Sequence, residues 1–295
     1  MNSPALTAER TLRFRDWSTL RYSLLWAYQG PVLAQAHRGS YTSPDASCWL
    51  IRKGKVQLST EEQTLEAGEN QWAFVSIPTR FQEFSADAEI LSLHFHLSWP
   101  GRLPVVRQPF TVVFDAERFP KLEQTALPLI QHVRQAFTSV TLPFLPEQPC
   151  TLSRYLRVQN LLPAWLGAYL AAQAALGNPV REPGRMDERI LKGIAELDRK
   201  PIDQRYSEAD LVRQVGLGRT QFNAIFHTAV GMSPRRYFEQ RRQEEAATLL
   251  THTELSIKEI ALTLGFRYES HFTVWFRCHY RQTPSAYRRN VQRCP

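Results

Sequence analysis

Two short groups of side chains, about fifty positions apart, carry hydrogen-bonding groups that suit the edges of nucleic-acid bases. Arginine and asparagine form paired hydrogen bonds with guanine and adenine, and small apolar side chains contact the thymine methyl group. Helices that present both groups outward would let one chain read two stretches of a duplex. The two groups are Arg219, Thr220, Asn223 and Ala224, and then Glu269, Ser270, His271, Thr273 and Val274.

A capping signal precedes each group and predicts the start of a helix. Ser207 and Ser256 stand forty-nine positions apart, and each is followed three residues later by an acid, Asp210 or Glu259. A hydroxyl followed at this distance by an acid forms a capping box, for which aspartate is the weaker partner. One such box is a weak signal, but two in register indicate an internal repeat.

The repeat continues through a turn and a second helix. Gly216 and Gly265 occupy matching positions, where glycine suits a tight corner between two helices. The offset then grows to fifty, so the second turn is predicted to be one residue longer. Each copy predicts a helix-turn-helix unit, at 207–229 and at 256–279. The further matches are Phe222, Phe226, Ser233 and Pro234 with Phe272, Phe276, Thr283 and Pro284.

The charge distribution and the connection between the units favour a polyanionic partner. The net charge is +8, and from Arg185 onward 19 Lys and Arg face 13 Asp and Glu. A helix from Pro234 to about Leu250 would be roughly 25 Å long, which suits adjacent major grooves about 34 Å apart. The alternatives are an all-α bundle whose phenylalanines only fill a core, and an architectural protein that binds DNA without sequence preference.

These segments resemble the AraC/XylS family of bacterial transcription regulators over about residues 186–289. The resemblance implies an AraC-type DNA-binding domain at 187–290 and base contacts by the residues of the two groups named above, with the exception of Thr273. It also implies double-stranded DNA and RNA polymerase as partners, transcriptional activation and a homodimer. The segments that carry it are 256–266, 270–272, Phe276-Arg277, 283–288, 231–237 and 242–250.

Three arginines are predicted to contact DNA phosphates, namely Arg277, Arg288 and Arg242. The chain also departs from the family pattern at several positions. Family members often carry arginine where this chain has Ala224 and Val274, and glycine is usual where Arg281 stands. These departures concern individual base contacts and leave the expectation of DNA binding unchanged.

The front half reads as strands followed by helices, so the predicted fold class is multidomain α+β. Short β-rich segments separated by turn residues run from Tyr22 to about Leu97 and predict a sandwich or small barrel. The resemblance implies a cupin-like sensor domain, placed at 1–110. A helical segment at 111–177 either pairs two subunits or covers the barrel, and a proline-containing linker follows at 178–186.

Two histidines raise a competing enzyme hypothesis. His94 and His96 share one face of a predicted strand, and inside a barrel they could bind a metal together with His37 or Glu83. That arrangement would make the chain a metal-dependent cupin enzyme with a helical accessory domain. No dense motif of acids and histidines surrounds them, so we expect no metal, no cofactor and no catalytic residue.

Aromatic residues suggest a pocket for a small-molecule effector in the front domain. Trp26, Trp49, Trp72 and Trp99 could stack on a sugar or an aromatic ligand, although aromatic residues also fill cores. The candidate pocket consists of Trp49, Trp72, His94 and His96.

The four cysteines show no metal-finger spacing, no signal peptide precedes them, and no apolar segment reaches membrane-spanning length. We therefore expect a soluble cytoplasmic protein with reduced thiols and no membrane partner.

Overall fold

The computed structural model describes residues 13–42, 45–60, 63–76, 79–107, 110–137, 145–181 and 186–292. Part of the predicted linker and Cys294 lie outside these residues. A sheet-rich front half is followed by a helical C-terminal part, so the predicted α+β class is confirmed.

The strands of the described residues form two antiparallel sheets. One sheet has the order β1-β8-β3-β6-β10, with β9 paired to β8, and the other has the order β2-β7-β4-β5. The predicted cupin-like barrel is therefore not present as a single closed ring in this part of the chain. The strands are β1 (Arg21–Pro31), β2 (Arg38–Thr42), β3 (Ala46–Lys53), β4 (Val56–Ser59), β5 (Thr64–Ala67), β6 (Gln71–Ser76), β7 (Thr79–Phe84), β8 (Glu89–Trp99), β9 (Leu103–Pro104) and β10 (Phe110–Asp115).

Alternation along the strands divides the front half into two cores. Successive side chains of a strand point to opposite faces, so Trp49 and Ile51 pack with residues of the second sheet while Cys48 and Leu50 pack toward helices. The larger sheet is thus buried on both faces. Because β10 pairs with β6, this sheet extends to Asp115, beyond the predicted domain end at residue 110.

Helices cover the outer face of the larger sheet. The front half contains α1 (Phe14–Trp17), α2 (Pro120–Ala136) and α3 (Leu152–Ala175). Leu129 of α2 and Trp165 and Tyr169 of α3 lie in one buried cluster with Phe95 of β8. Of the two predicted roles for this helical segment, covering the sheet is the one that these contacts support.

The first part of the predicted linker is packed against the front half. Asn178 is 3% exposed. The Arg181 backbone N–H donates to Val105 O (2.7 Å), and the Trp99 indole donates to Arg181 O (2.8 Å). Polarity and a proline predict a linker at 178–181, but the backbone groups of Arg181 find partners in the sheet domain.

The C-terminal part consists of two helical units that share one helix. Phe222, Phe226 and Tyr237 lie in the first core, and Phe272 and Phe276 lie in the second. Among the described residues, no helix is both long enough and apolar enough to cross a membrane. The helices are α4 (Glu188–Arg199), α5 (Glu208–Val215), α6 (Arg219–Val230), α7 (Pro234–His252), α8 (Ile257–Thr263), α9 (Glu269–Tyr280) and α10 (Pro284–Gln292).

The front half docks against the first unit and α7. Arg21 of β1 forms an ion pair with Asp198 of α4, and Arg102 forms one with Glu244 of α7. Between these ion pairs, Gly101 lies so close to Val230 that an added Cβ would be 3.2 Å from the valine side chain. The contact therefore joins charged pairs to tight apolar packing.

Candidate nucleic-acid interface

The first helix-turn-helix unit forms where the capping signal predicts it. Ser207 Oγ accepts a hydrogen bond from Asp210 N (3.3 Å), which starts α5. Gly216 ends α5 in the left-handed conformation with φ of 70°. α6 then begins at Arg219, so the residues predicted to contact bases, called the reading residues below, lie on its first turns. We call α6 and its counterpart α9 the reading helices.

The second unit repeats this arrangement with a complete capping box. Ser256 Oγ accepts from Glu259 N (3.2 Å), and Glu259 Oε2 accepts from Ser256 N (2.7 Å). These hydrogen bonds lower the pKa of the Glu259 carboxyl group. Gly265 turns the chain with φ of 77°. α9 begins four residues after this glycine, whereas α6 begins three after Gly216, which confirms the predicted longer turn.

Both second helices bury phenylalanines and leave the predicted reading residues outward. Asn223 is half-buried, and Val274 is 64% exposed although it is apolar. An apolar side chain so exposed on a helix surface is available for contact with a partner. The other predicted residues are all exposed, namely Arg219, Thr220, Ala224, Glu269, Ser270 and His271.

An acid that the sequence interpretation missed holds the reading residues of the first unit. Glu208 forms an ion pair with Arg219 (Nε–Oε2 2.7 Å), and its carboxylate also accepts a hydrogen bond from Asn223 Nδ2. At the matching position the second unit carries Ile257. The signal was available in the sequence, since Glu208 directly follows the capping serine. In this structure the Glu208 carboxylate thus occupies hydrogen-bonding groups of two residues that are predicted to contact bases.

The two helices that carry the residues predicted to contact bases begin without a side-chain cap in the described part of the chain. In the described residues, Ser207, Ser233 and Ser256 cap α5, α7 and α8 with their side chains. The residues preceding α6 and α9, Gly218 and Tyr268, make no such hydrogen bond in the part of the chain that the structure describes. A helix N-terminus with unsatisfied N–H groups attracts phosphate oxygens.

The three predicted phosphate-binding arginines lie in different environments. Arg277 is exposed on α9. Arg288 Nε donates to Leu250 O (3.2 Å). Arg242 donates to Leu264 O from Nε (3.0 Å) and from Nη2 (2.6 Å). Arg242 and Arg288 therefore face helix-end carbonyl groups of their own domain, and only Arg277 presents its guanidinium to solvent.

Two neighbouring arginines fasten α7 to both units. Arg241 donates to Asp198 O (2.8 Å) and Lys200 O (3.2 Å) at the end of α4. Arg242 satisfies the end of α8, and its guanidinium carbon lies 4.1 Å from the centroid of the Phe266 ring. Because the two side chains hold different units, they fix the position of one reading helix relative to the other.

Further exposed cations lie beside the reading helices. Arg235 and Arg236 occupy the first turn of α7, and Arg267 stacks over Tyr268 (5.3 Å) just before α9. Arg281 ends α9 in the left-handed conformation with φ of 58°, a position that glycine fills in the first unit. In the sequence these arginines stand out only because they lie close to a predicted turn, and that position does not distinguish them from other surface arginines.

The four residues predicted as an effector pocket are not brought together. Trp49 pairs with Ala73, so Trp72 points to the opposite face of the sheet and lies in the core beneath the helices. His94 Nε2 lies 2.5 Å from Ser47 Oγ, and His96 Nδ1 lies 2.9 Å from Asp45 Oδ1. Of the predicted set, Trp72 is therefore separated from the space between the sheets.

Within the described residues, no three histidine, cysteine, aspartate or glutamate side chains converge in a way that would hold a metal ion. The enzyme hypothesis needed His94 and His96 to share such a site with His37 or Glu83. Glu83 instead lies 3.6 Å from Arg38 in an ion pair.

Comparisons with known proteins place the helical part in a family. Residues 211–290 match a family model described as a helix-turn-helix domain. The chain is 34% identical over 120 residues to the virulence regulon transcriptional activator VirF of Yersinia enterocolitica, a segment covering 41% of each chain. It is 36% identical over 86 residues to the HTH-type transcriptional regulator ExsA of Pseudomonas aeruginosa, covering 29% of this chain and 31% of ExsA. The chain thus matches well under two thirds of the length of these relatives.

A solved structure shows a similar relation. A transcriptional regulator from Chromobacterium violaceum, titled as one of the AraC-type DNA-binding domain-containing proteins, is 28% identical with a TM-score of 0.32. The similarity covers 36% of this chain and 94% of that one. The family model and the sequence relatives coincide with the repeated helical units. Over residues 211–290 the chain is similar to the helix-turn-helix part of known transcriptional regulators, which confirms the predicted resemblance to the AraC/XylS family for this segment.

Proposed function

We propose that this protein regulates transcription by binding specific sites on double-stranded DNA through both helix-turn-helix units. The observation that carries the proposal is the pair of separately cored units held by α7, each with an exposed polar reading helix. A bundle whose phenylalanines only filled a core would not need to repeat this arrangement of an exposed helix on each unit. The names of the relatives, all transcriptional regulators, agree with this function.

The dimensions of α7 support simultaneous binding by both units. Its 19 residues span about 28 Å. Successive major grooves on one side of a duplex are about 34 Å apart, and each groove admits a helix. We therefore place α6 and α9 in adjacent grooves. Asn223 suits adenine, Arg219 suits guanine or a phosphate, and Val274 suits a thymine methyl group.

Control by a small molecule is the proposed role of the front half, a cupin-like sensor in this account. A bound effector would change the docking of this half on the first unit, which the Arg21–Asp198 and Arg102–Glu244 ion pairs now hold. A ligand shifts such an equilibrium only by its different affinity for the two states. Pairing of two copies and contact with RNA polymerase stay predictions. Leu152 at the start of α3 is 72% exposed and could contact a second copy of the chain.

Competition binding tests the proposed function. A duplex selected from a random pool should bind the full chain at least about 1,000-fold more tightly than unrelated duplexes at physiological salt. Equal affinity for all sequences would instead identify an architectural DNA-binding protein. If the chain showed no salt-sensitive affinity for any duplex, the proposal that it binds DNA would be wrong.

The Arg277→Ala variant should bind all duplexes more weakly, because its exposed guanidinium is placed to neutralise a phosphate. The plot of log affinity against log salt should lose about one unit of slope.

Asn223→Ala and His271→Ala should instead relax the preference at particular base pairs, each in a different half of the site. Unchanged sequence preference in both of these variants would show that the reading faces are misplaced.

The Glu208→Gln variant should bind the selected duplex about fivefold more tightly, which corresponds to about 1 kcal/mol. The change removes a negative charge from the protein–DNA interface and weakens the hold on Arg219 and Asn223. Asp210→Asn is the matched control, since it removes the same charge from the same helix at a more exposed position. An affinity gain no larger than that of the control would contradict the role given to Glu208.

A further inference from the structure

A charged side chain is buried between the two sheets of the front half. Arg80 of β7 is 5% exposed. Its guanidinium carbon lies 5.2 Å from the ring centroid of Trp49 on the larger sheet and 5.8 Å from that of Tyr41 on β2. Gln82 and Phe84 share its face of β7 and are also buried. The guanidinium is thus in the interior of the domain.

Among the described residues, only some of the hydrogen-bond donors of this guanidinium have a partner. Arg80 Nε donates to Gln82 Oε1 (3.2 Å), and Gln82 Nε2 donates in turn to the backbone oxygen of Ala36 (3.0 Å). Arg80 Nη1 is buried and has no hydrogen-bond partner among the residues that the structure describes. Burial lowers the pKa of Arg80 to about 10, so the group remains charged at neutral pH.

A buried charge of this kind requires a counterion. In the described residues no aspartate or glutamate pairs with Arg80, in contrast to Arg21 and Arg52, which have acidic partners. Removing a charge from water without a compensating partner is strongly unfavourable. Tyr41 and Trp49 attract the cation through their ring faces, but they do not occupy the Nη1 donor.

The chemistry of the surroundings defines what would complete the site. A guanidinium N–H forms a strong, charge-assisted hydrogen bond with a carboxylate oxygen, and Nη1 is the donor that such a group would occupy here. One cation neutralises one negative charge, so a monoanion suits the position better than a doubly charged phosphate. Trp49 lies beside the guanidinium and packs against Phe84, with ring centroids 5.3 Å apart, so an apolar surface extends from the cation through Trp49. An organic body attached to the carboxylate would pack on this surface.

We propose that the front half binds a small organic monocarboxylate between its two sheets, with the carboxylate on Arg80 and the apolar body beside Trp49. The inference rests on the proposed function, because it names the chemical class of the effector that would act on DNA binding. Gln82 is a positioning residue in this site, since it orients Arg80 through Nε.

The test compares an acid with its uncharged isostere. The full chain is heated with 3-phenylpropionate or with 3-phenylpropanamide, at equal concentration and ionic strength. The acid at saturation should raise the Tm by about 3 °C or more and the amide should not. An equal effect of acid and amide on the wild type, or no effect of the acid, overturns the proposal without the use of any variant.

Two variants locate the effect at Arg80. Arg80→Met removes the charge and keeps the stem, so the acid should shift its Tm by less than about 1 °C. Its Tm without ligand should equal or exceed that of the wild type, because an unpaired buried charge is gone. Gln82→Glu supplies an internal carboxylate to Arg80 and should also abolish the acid effect. An undiminished acid effect in either folded variant contradicts the assignment.

DNA binding is measured separately on the same preparations. A wild type that is stabilised by the acid but binds no duplex would keep the carboxylate site and refute the proposed function. A wild type that binds its selected duplex but is not stabilised by the acid would keep the proposed function and refute the carboxylate site.

Discussion

The Gly265→Ala variant is expected to lose about 3 kcal/mol of the free energy of unfolding of the second helix-turn-helix unit. At φ of 77°, an L side chain costs about 1–2 kcal/mol. An added Cβ would also lie 2.7 Å from Asp203 Cα and would overlap the carbonyl oxygen of that residue. Backbone cannot swing aside as a flexible side chain can, and overpacking adds about 1–3 kcal/mol. Urea denaturation followed by tryptophan fluorescence, to which Trp275 of this unit contributes, measures the loss.

Gly216→Ala is the matched control for this prediction. Gly216 has φ of 70° at the equivalent corner of the first unit, and an added Cβ there would meet no atom of the described residues within 4 Å. Only the conformational cost of about 1–2 kcal/mol should appear. Equal losses in the two variants would mean that the turn at Gly265 does not pack on the loop of Asp203.

The Arg242→Ala variant is expected to destabilise the second unit by about 2–4 kcal/mol. Its guanidinium makes two hydrogen bonds to Leu264 O at the end of α8 and stacks on Phe266. A hydrogen bond from a charged donor contributes about 1.5–3 kcal/mol, and the stacked ring adds about 0.5–1 kcal/mol or more. Chemical denaturation measures the stability. The slope of log affinity for DNA against log salt, measured under conditions in which the variant is folded, should equal that of the wild type.

Arg277→Ala provides the opposite pattern, with stability unchanged within about 0.5 kcal/mol and a reduced salt slope. If Arg242→Ala behaved like Arg277→Ala, the phosphate role predicted from the sequence for Arg242 would be correct. The packing seen around its guanidinium would then be incidental.

Local chemistry in the sequence predicted the repeated units well. A serine that is followed three residues later by an acid favours the start of a helix. The side chains of Ser207 and Ser256 both cap a helix in this way. A glycine between two helical patterns meets a need for positive φ, as Gly216 and Gly265 show. The changed offset after Gly265 was sufficient to predict the longer second turn.

The direction of a long side chain was not predictable in the same way. Helical spacing places Arg242 and Arg277 on helices but does not state whether a guanidinium meets a phosphate or a carbonyl group of the same domain. That choice depends on the tertiary position of Leu264, which approaches Arg242 only when α7 and α8 pack together. Glu208 was missed for a related reason, because its partners Arg219 and Asn223 lie beyond the turn.

The front half shows the limits of composition more plainly. Tryptophans that looked like one pocket are divided by strand pairing, since Trp49 and Trp72 belong to opposite faces of one sheet. A lone arginine in a β-rich segment gave no sequence signal for Arg80. Only the pairing of Tyr41 with Arg80 and the approach of Trp49 from the other sheet reveal a buried charge.

The central claim is that one chain sets two reading helices in neighbouring major grooves. Hydroxyl-radical footprinting of the full chain on its selected duplex measures this directly. The account predicts two protected segments on one face of the duplex, centred about 10 base pairs apart. It also predicts that Asn223→Ala alters contacts in one segment and His271→Ala in the other. A single protected segment, or protection that is the same on every sequence, would contradict it.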